Sequence, residues 1–100
     1  MNIAFDYDDT ITLDRPFWFR IIQLTLERGH RAFIVSCRTD NIENLTSIRD
    51  WLGDIGEKVP VILTNHTSKQ EAVKLHNYKI DVWVENNLNV ILHGDRQWKH

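Results

Sequence analysis

The sequence predicts an α/β fold in which a parallel sheet of about five strands lies between two layers of helices. Short runs of β-branched and aromatic residues recur along the chain, and stretches with helical periodicity separate them. Strands that alternate with helices are joined by right-handed crossovers, which make the sheet parallel and bury both of its faces. With 100 residues, 42% of them hydrophobic, the chain can form one Rossmann-like three-layer sandwich. We therefore expect a single domain over residues 1–100.

Five short apolar runs are the predicted strands. Each has the length and the Ile, Val, Phe or Leu content of a strand that is buried on both faces. They lie at residues 3–5, 32–35, 59–63, 80–84 and 90–92. A tight polar turn at Asn86-Asn87 precedes the last of them.

Three helices are predicted between these strands. Asp14 and Pro16 are typical of a helix start, and Gly29 is placed to end this first helix. The second is predicted from Asp40, which forms a capping box with Glu43, and the third from residue 67 or 68 towards residue 76. The second helix is expected to bury Ile42, Leu45, Ile48 and Leu52.

Charge and cysteine content exclude several classes of function. The chain has 12 Lys and Arg against 14 Asp and Glu, a formal net charge of -2, and no basic stripe supports electrostatic binding of nucleic acid. Cys37 is the only cysteine, which excludes an internal disulfide, a CxxC redox pair and a multi-cysteine zinc site. The N-terminus is acidic where a signal peptide would be basic and then apolar. We expect a cytoplasmic protein with no membrane segment.

Polar residues follow the first four predicted strands. In a doubly wound sheet the ligand site forms at the carboxyl ends of the strands, so these residues are expected at one edge. Asp6, Asp8 and Asp9 follow the first strand, Ser36 the second and Glu85 the fourth. Three carboxylates so close together repel one another unless a cation lies between them, and Mg²⁺ prefers such oxygen ligands. An isolated acidic pair would instead be interpreted as a solvated loop.

The same edge also carries groups that bind anions. Ser36 can donate a hydrogen bond to a phosphate oxygen, and Lys69 can add a positive charge at the start of the third predicted helix. Arg38 lies two residues beyond Ser36, and a guanidinium matches the geometry of phosphate or carboxylate. The strand ends therefore predict an anion site beside a cation site. His66, after the third strand, is predicted to be a surface residue.

The order of these residues resembles the haloacid dehalogenase-like (HAD) phosphohydrolases. Residues 3–12, IAFDYDDTIT, are similar to the first motif of that family, an apolar strand followed by DxDxT. Residues 34–36, IVS, resemble the second motif, Lys69 resembles the third, and residues 82–86, VWVEN, resemble the fourth. The resemblance covers residues 1–92.

The resemblance implies a Mg²⁺-dependent phosphatase that hydrolyses phosphate monoesters through an aspartyl-phosphate intermediate. Asp6 would be the nucleophile, and Asp8 would protonate the leaving oxygen and then activate water. The expected phosphate-binding residues are Thr10, Ser36, Arg38 and Lys69. The expected Mg²⁺ ligands are Asp6, the backbone carbonyl of Asp8, Glu85 and Asn86.

One motif departs from the family pattern, and one assignment is open. The fourth motif commonly has an Asp-Asp pair, whereas this chain has Glu85-Asn86, which predicts weakened metal binding because Asn86 brings no charge. Lys74 and Lys79 precede the same strand as Lys69. We prefer Lys69 because it lies at a helix N-terminus near the catalytic edge, whereas Lys74 is a turn or more further along.

HAD enzymes usually insert a cap domain between their motifs, and this chain has little room for one. A helix and a strand occupy nearly all of residues 11–35, and another helix and strand occupy residues 37–68. We expect a capless HAD-like core whose open site takes a bulky substrate, such as a nucleic-acid end or a phosphoprotein, or is covered in a homo-oligomer. Nucleotides and sugar phosphates are the smaller alternatives.

Two other functions fit part of the sequence. A HAD-like module that binds phosphate or a nucleotide with little or no turnover is the main alternative, and Glu85-Asn86 is the reason for it. A response-regulator receiver domain also has an acidic pair after its first strand. It would require a phosphorylatable Asp after the third strand, where this chain has Thr64-Asn65-His66.

Overall fold

The sheet consists of four parallel strands in the order β3-β2-β1-β4. The strands are β1 (Asn2–Phe5), β2 (Arg31–Ser36), β3 (Val61–Leu63) and β4 (Val82–Val84). In this computed structural model, which describes residues 1–95, β1 is central because it pairs with both β2 and β4. This order is the one found in the first four strands of a Rossmann sheet, with the switch in strand order between β1 and β4.

Helices connect the strands and begin at residues whose side chains cap them. The helices are α1 (Arg15–Glu27), α2 (Ile42–Leu52), α3 (Lys69–Leu75) and α4 (Leu88–His93), with 3-10 segments at Ile11–Leu13 and Gly53–Lys58. Asp14 accepts from the Phe17 amide at the start of α1, and Ser68 accepts from the Glu71 amide at the start of α3. Asn41, and not the predicted Asp40, caps α2.

The predicted fifth strand at residues 90–92 is wrong, because these residues lie in α4. The Asn87 side chain accepts from the Asn89 amide and starts this helix, and Gly94 ends it with a φ of 78°. A three-residue apolar run does not distinguish a strand from a helix by its period. Within residues 1–95 the sheet therefore has four strands rather than about five.

Alternate residues of the central strands pack on opposite faces of the sheet. Ala32 and Ile34 belong to the core beneath α1 and α2, whereas Phe33 and Val35 belong to the core beneath α3. The prediction of a parallel sheet between two helical layers is thus confirmed, and the prediction of buried strands holds best for β2, whereas β4 has no fully buried residue and Val82 is 40% exposed. Ile42, which was expected to be buried in the second helix, is 74% exposed because it occupies the first turn of α2.

Helix length also bears on membrane association. Among residues 1–95, every helix is too short or too polar to cross a bilayer.

Candidate functional site

A cleft of about 320 Å³ lies at the carboxyl edge of the sheet. The segments that follow all four strands contribute to it, as the strand-end rule predicts. Its lining residues are Asp6, Asp8, Asp9, Ser36, Cys37, Arg38, His66, Lys69, Glu85, Asn86, Asn87, Val90 and Asp95. Of the predicted site residues, Thr10 does not line the cleft and lies behind Asp6.

The floor of the cleft is a buried cluster of two carboxylates and one ammonium. Lys69 Nζ donates to Asp6 Oδ1 at 2.7 Å and also to Glu85 Oε1. The Lys69 side chain is 1% exposed, and a buried lysine is stable only when its charge is paired. Lys74 and Lys79 are exposed and line a different hollow, beside Tyr78 and Trp83. Of these three lysines, Lys69 is therefore the one that contacts Asp6 and Glu85.

The three charges of this cluster do not cancel. Two carboxylates share one ammonium, so the floor carries an excess negative charge when both are ionised. Burial raises the pKa of Glu85, the neighbouring Asp6 carboxylate adds to that rise, and Lys69 opposes it. The floor can therefore accept a further positive charge.

Thr10 binds the second carboxylate oxygen of Asp6. Its Oγ1 donates to Asp6 Oδ2 at 3.1 Å, so the two oxygens of Asp6 are oriented by different donors. Thr12 Oγ1 accepts from the Asp9 amide at 2.9 Å, and Asp9 itself has a φ of 61°. These contacts hold residues 8–12 in a tight turn after β1 and orient the Asp6 carboxylate.

Asp8 and Arg38 form a two-pronged ion pair at the rim. Arg38 Nε donates to Asp8 Oδ2 at 2.9 Å, and Nη2 donates to Oδ1 at 2.8 Å. The guanidinium also lies 5.0 Å from the centre of the Tyr7 ring. The hydrogen bonds that Arg38 donates to Asp8 raise the pKa of Arg38. Both predicted residues are thus in the cleft, but each is already bound to the other.

Ser36 lies between the floor and the rim at the end of β2. It is almost fully buried, and its Oγ accepts from the Arg38 amide at 3.2 Å. The same hydroxyl can rotate its hydrogen towards a ligand, because accepting from an amide leaves its donor free. Cys37 follows it, and burial raises the pKa of this thiol, which keeps it protonated.

His66 is partly exposed, as predicted, and it lies in the cleft wall. Its Nδ1 lies 2.8 Å from Asp95 Oδ1, and its Nε2 lies 3.1 Å from Thr39 Oγ1. A Cβ at Gly94 would clash with the His66 carbonyl, so only glycine lets the end of α4 lie this close. The position of His66 after β3 was the sequence signal that placed it at the carboxyl edge of the sheet. Its partner Asp95 was missed because the segment before Asp95 was predicted as a strand.

The predicted metal ligands are only partly brought together. Asp6 and Glu85 converge on the same ammonium, the Asp8 side chain points to Arg38, and Asn86 Nδ2 lies 3.4 Å from the Asp9 carbonyl. Among residues 1–95, no three His, Cys, Asp or Glu side chains form a metal cage of their own. Mg²⁺ takes carboxylate oxygens and keeps several waters, so the donor chemistry of Asp6 and Glu85 is compatible with it, although both carboxylates bind the Lys69 ammonium.

The fold and the site together define an α/β protein with a carboxylate–lysine cluster at the carboxyl edge of a parallel sheet. Comparisons of the chain with protein-family models, with curated proteins and with solved structures find no match. The function is therefore argued from the side chains of the cleft, since a fold of this class serves many chemistries.

Proposed function

We propose that the chain is a HAD-type phosphatase that requires Mg²⁺ and hydrolyses phosphate monoesters through an aspartyl-phosphate. The observation that carries the proposal is the position of Asp6, whose carboxylate is held by Lys69 and Thr10 in an open cleft. A carboxylate fixed by two donors has a defined direction of attack. Ser36 and Arg38 lie in the same cleft, where they can bind the phosphoryl oxygens.

The chemistry assigns one carboxylate to bond formation and another to proton transfer. An Asp6 oxygen attacks phosphorus and displaces the alcohol. Asp8, which has to release Arg38 and take up a proton from solvent before this step, gives that proton to the leaving oxygen. Asp8 then accepts a proton from the water that attacks phosphorus and releases Asp6 and inorganic phosphate. Because both Asp8 oxygens are paired with Arg38, that pair has to open during the cycle.

Charge stabilisation comes from the floor and the rim of the cleft. Lys69 and Ser36 face the phosphoryl group from the floor, and Arg38 can exchange Asp8 for a phosphoryl oxygen. Asp6, Glu85, Asn86 and the Asp8 carbonyl are the residues that would hold Mg²⁺. When bound, Mg²⁺ offsets the negative charge of the carboxylates and of the phosphoryl group.

The test is phosphate release from an aryl phosphate with Mg²⁺ and again with EDTA, combined with Asp6→Asn. We expect EDTA to abolish release, Asp6→Asn to abolish it with the fold retained, and acid quenching of the parent to trap one labelled phosphate on Asp6. Asp50→Asn is the control, because it removes the same charge from the exposed face of α2. Equal turnover in Asp6→Asn and the parent contradicts the proposal.

A binding module without turnover is the second candidate, and the Asp8–Arg38 pair favours it. A carboxylate whose two oxygens are both bound to one guanidinium is poorly placed for proton transfer unless the pair opens. In that case the protein binds inorganic phosphate by calorimetry but releases none from aryl esters. Asp6→Asn would then change the affinity for inorganic phosphate, and neither the variant nor the parent would hydrolyse the ester.

A further inference from the structure

The cleft has more acidic than basic side chains among the described residues. Its carboxylates are Asp6, Asp8, Asp9, Glu85 and Asp95, and its permanent cations are Arg38 and Lys69. Both cations are already paired, Lys69 with two carboxylates of the floor and Arg38 with both oxygens of Asp8. One phosphoryl group that binds Lys69 and Arg38 would therefore occupy both of the permanent cations that residues 1–95 contribute to the cleft.

The outer part of the cleft is where the organic part of a substrate would lie. Asp9 is exposed there, and its side chain has no ion-pair partner within residues 1–95. Asp95 is the partner of His66, so the pair as a whole has no net positive charge to offer an anion. A second anionic group on a ligand would meet Asp9 and this pair, with no unpaired permanent cation among residues 1–95 of the cleft.

We propose that the cleft selects phosphate monoesters whose organic part is neutral or positively charged and discriminates against a second anionic group. The inference rests on the proposed function and specifies its substrate class. It disfavours nucleic-acid ends and nucleotides with several phosphates, and it favours alcohols that are neutral or bear an ammonium.

Three esters of similar size separate charge from shape. Phosphocholine bears a quaternary ammonium, 3,3-dimethylbutyl phosphate is its neutral isostere, and 3-phosphonooxypropanoate bears a carboxylate. Two charges at a distance of about 8 Å in water change an affinity by about two-fold. Because an acid attracts the cationic ester and repels the anionic one, Asp9 alone separates their affinities by about four-fold, and an uncompensated Asp95 would raise the difference to about ten-fold or more. The difference should shrink in 0.5 M salt, because exposed charges are screened.

Binding is measured by calorimetry on Asp6→Asn, so that leaving-group reactivity plays no part, and kcat/KM is measured on the parent. Asp9→Asn and Asp95→Asn are expected to narrow the preference. Asparagine tolerates the left-handed backbone at position 9 and keeps an acceptor for His66 at position 95. Asp54→Asn, at an exposed position in a 3-10 segment away from the cleft, is the matched control.

The outcomes distinguish this inference from the proposed function. If the neutral ester is hydrolysed and the anionic ester binds as well as the cationic one, the charge preference is overturned while the phosphatase proposal stands. If the preference is present but survives both Asn variants and high salt, the acids are not its cause and the inference also fails. If no ester is bound or hydrolysed, the proposed function fails and takes the inference with it.

Discussion

Replacing Lys69 by methionine tests whether the floor of the cleft is a charge cluster that the fold depends on. The change keeps the length and apolar stem of the side chain but removes the only ammonium that contacts Asp6 and Glu85 within the described structure. Breaking a buried pair by removing one partner costs about 3–5 kcal/mol. A domain of this size has a free energy of unfolding of about 5–15 kcal/mol, so the loss is a large share of it.

The loss of stability should also depend on pH, and its sign follows from Glu85. The pKa of Glu85 is already raised in the folded protein by burial, and Lys69 is the group that opposes the rise. Without Lys69 the pKa of Glu85 in the folded state rises further, so at pH values between its unfolded and its folded pKa the folded state holds a proton at Glu85 that the unfolded state lacks. Stability of Lys69→Met therefore falls as pH rises through the folded pKa and recovers as pH falls towards the unfolded value.

Urea unfolding at pH 5 and pH 8 measures both effects, with Lys74→Met as the control. Lys74 is on the same helix but exposed, so its replacement should change the free energy of unfolding by no more than about 0.5 kcal/mol. Adding Glu85→Gln to Lys69→Met should restore part of the stability at pH 8. If Lys69→Met and Lys74→Met unfold at the same urea concentration at both pH values, the floor is not a coupled buried cluster and the reasoning is refuted.

Three further predictions concern proton transfer, the metal and assembly. Asp8→Asn should lower kcat about 10²–10⁴-fold on alkyl phosphates and much less on aryl phosphates, which need little help from an acid; equal losses on both would contradict its role. In a Mg²⁺ titration of activity, Asn86→Asp should tighten metal binding and Glu85→Gln should weaken it more than Asn86→Ala does, because only the first two change charge. Phe17 is exposed on α1, so Phe17→Ser should shift any homo-oligomer seen by light scattering towards monomer; a parent that is monomeric at all concentrations rules that contact out.

Local sequence patterns were sufficient to predict the four strands and three of the helices. The alternation of core residues between the two faces of β2 is visible within a few residues of sequence. Helix caps are equally local, because Asp14 and Ser68 bind amides in the first turns of the helices that they start. The segment with α4 was mispredicted because its short apolar run has no resolvable period. What decides its state is packing on α3, where Ser68 Oγ donates to the Ile91 carbonyl at 2.9 Å.

The members of the candidate site could be predicted, but their partners could not. The strand-end rule brings Asp6, Ser36 and Glu85 to one edge whatever the details of the sheet. Which side chain binds which depends on rotamers and on contacts across tens of residues, as in the Arg38–Asp8 pair. Residue spacing in the sequence does not show whether Arg38 is free to bind phosphate or is already paired with a carboxylate.

The Lys69–Glu85 and Arg38–Asp8 ion pairs differ in burial, and this difference assigns them different roles. Lys69 and Glu85 are almost fully buried, so neither can leave its partner without stranding a charge in the protein. The side chains of Arg38 and Asp8 are 26% and 49% exposed, so water can solvate both groups when this two-pronged pair opens. A phosphoryl dianion can therefore displace Asp8 from Arg38 at a lower cost than it could displace Glu85 from Lys69. The same exchange would release Asp8 to take up a proton and then donate it only when a substrate is present.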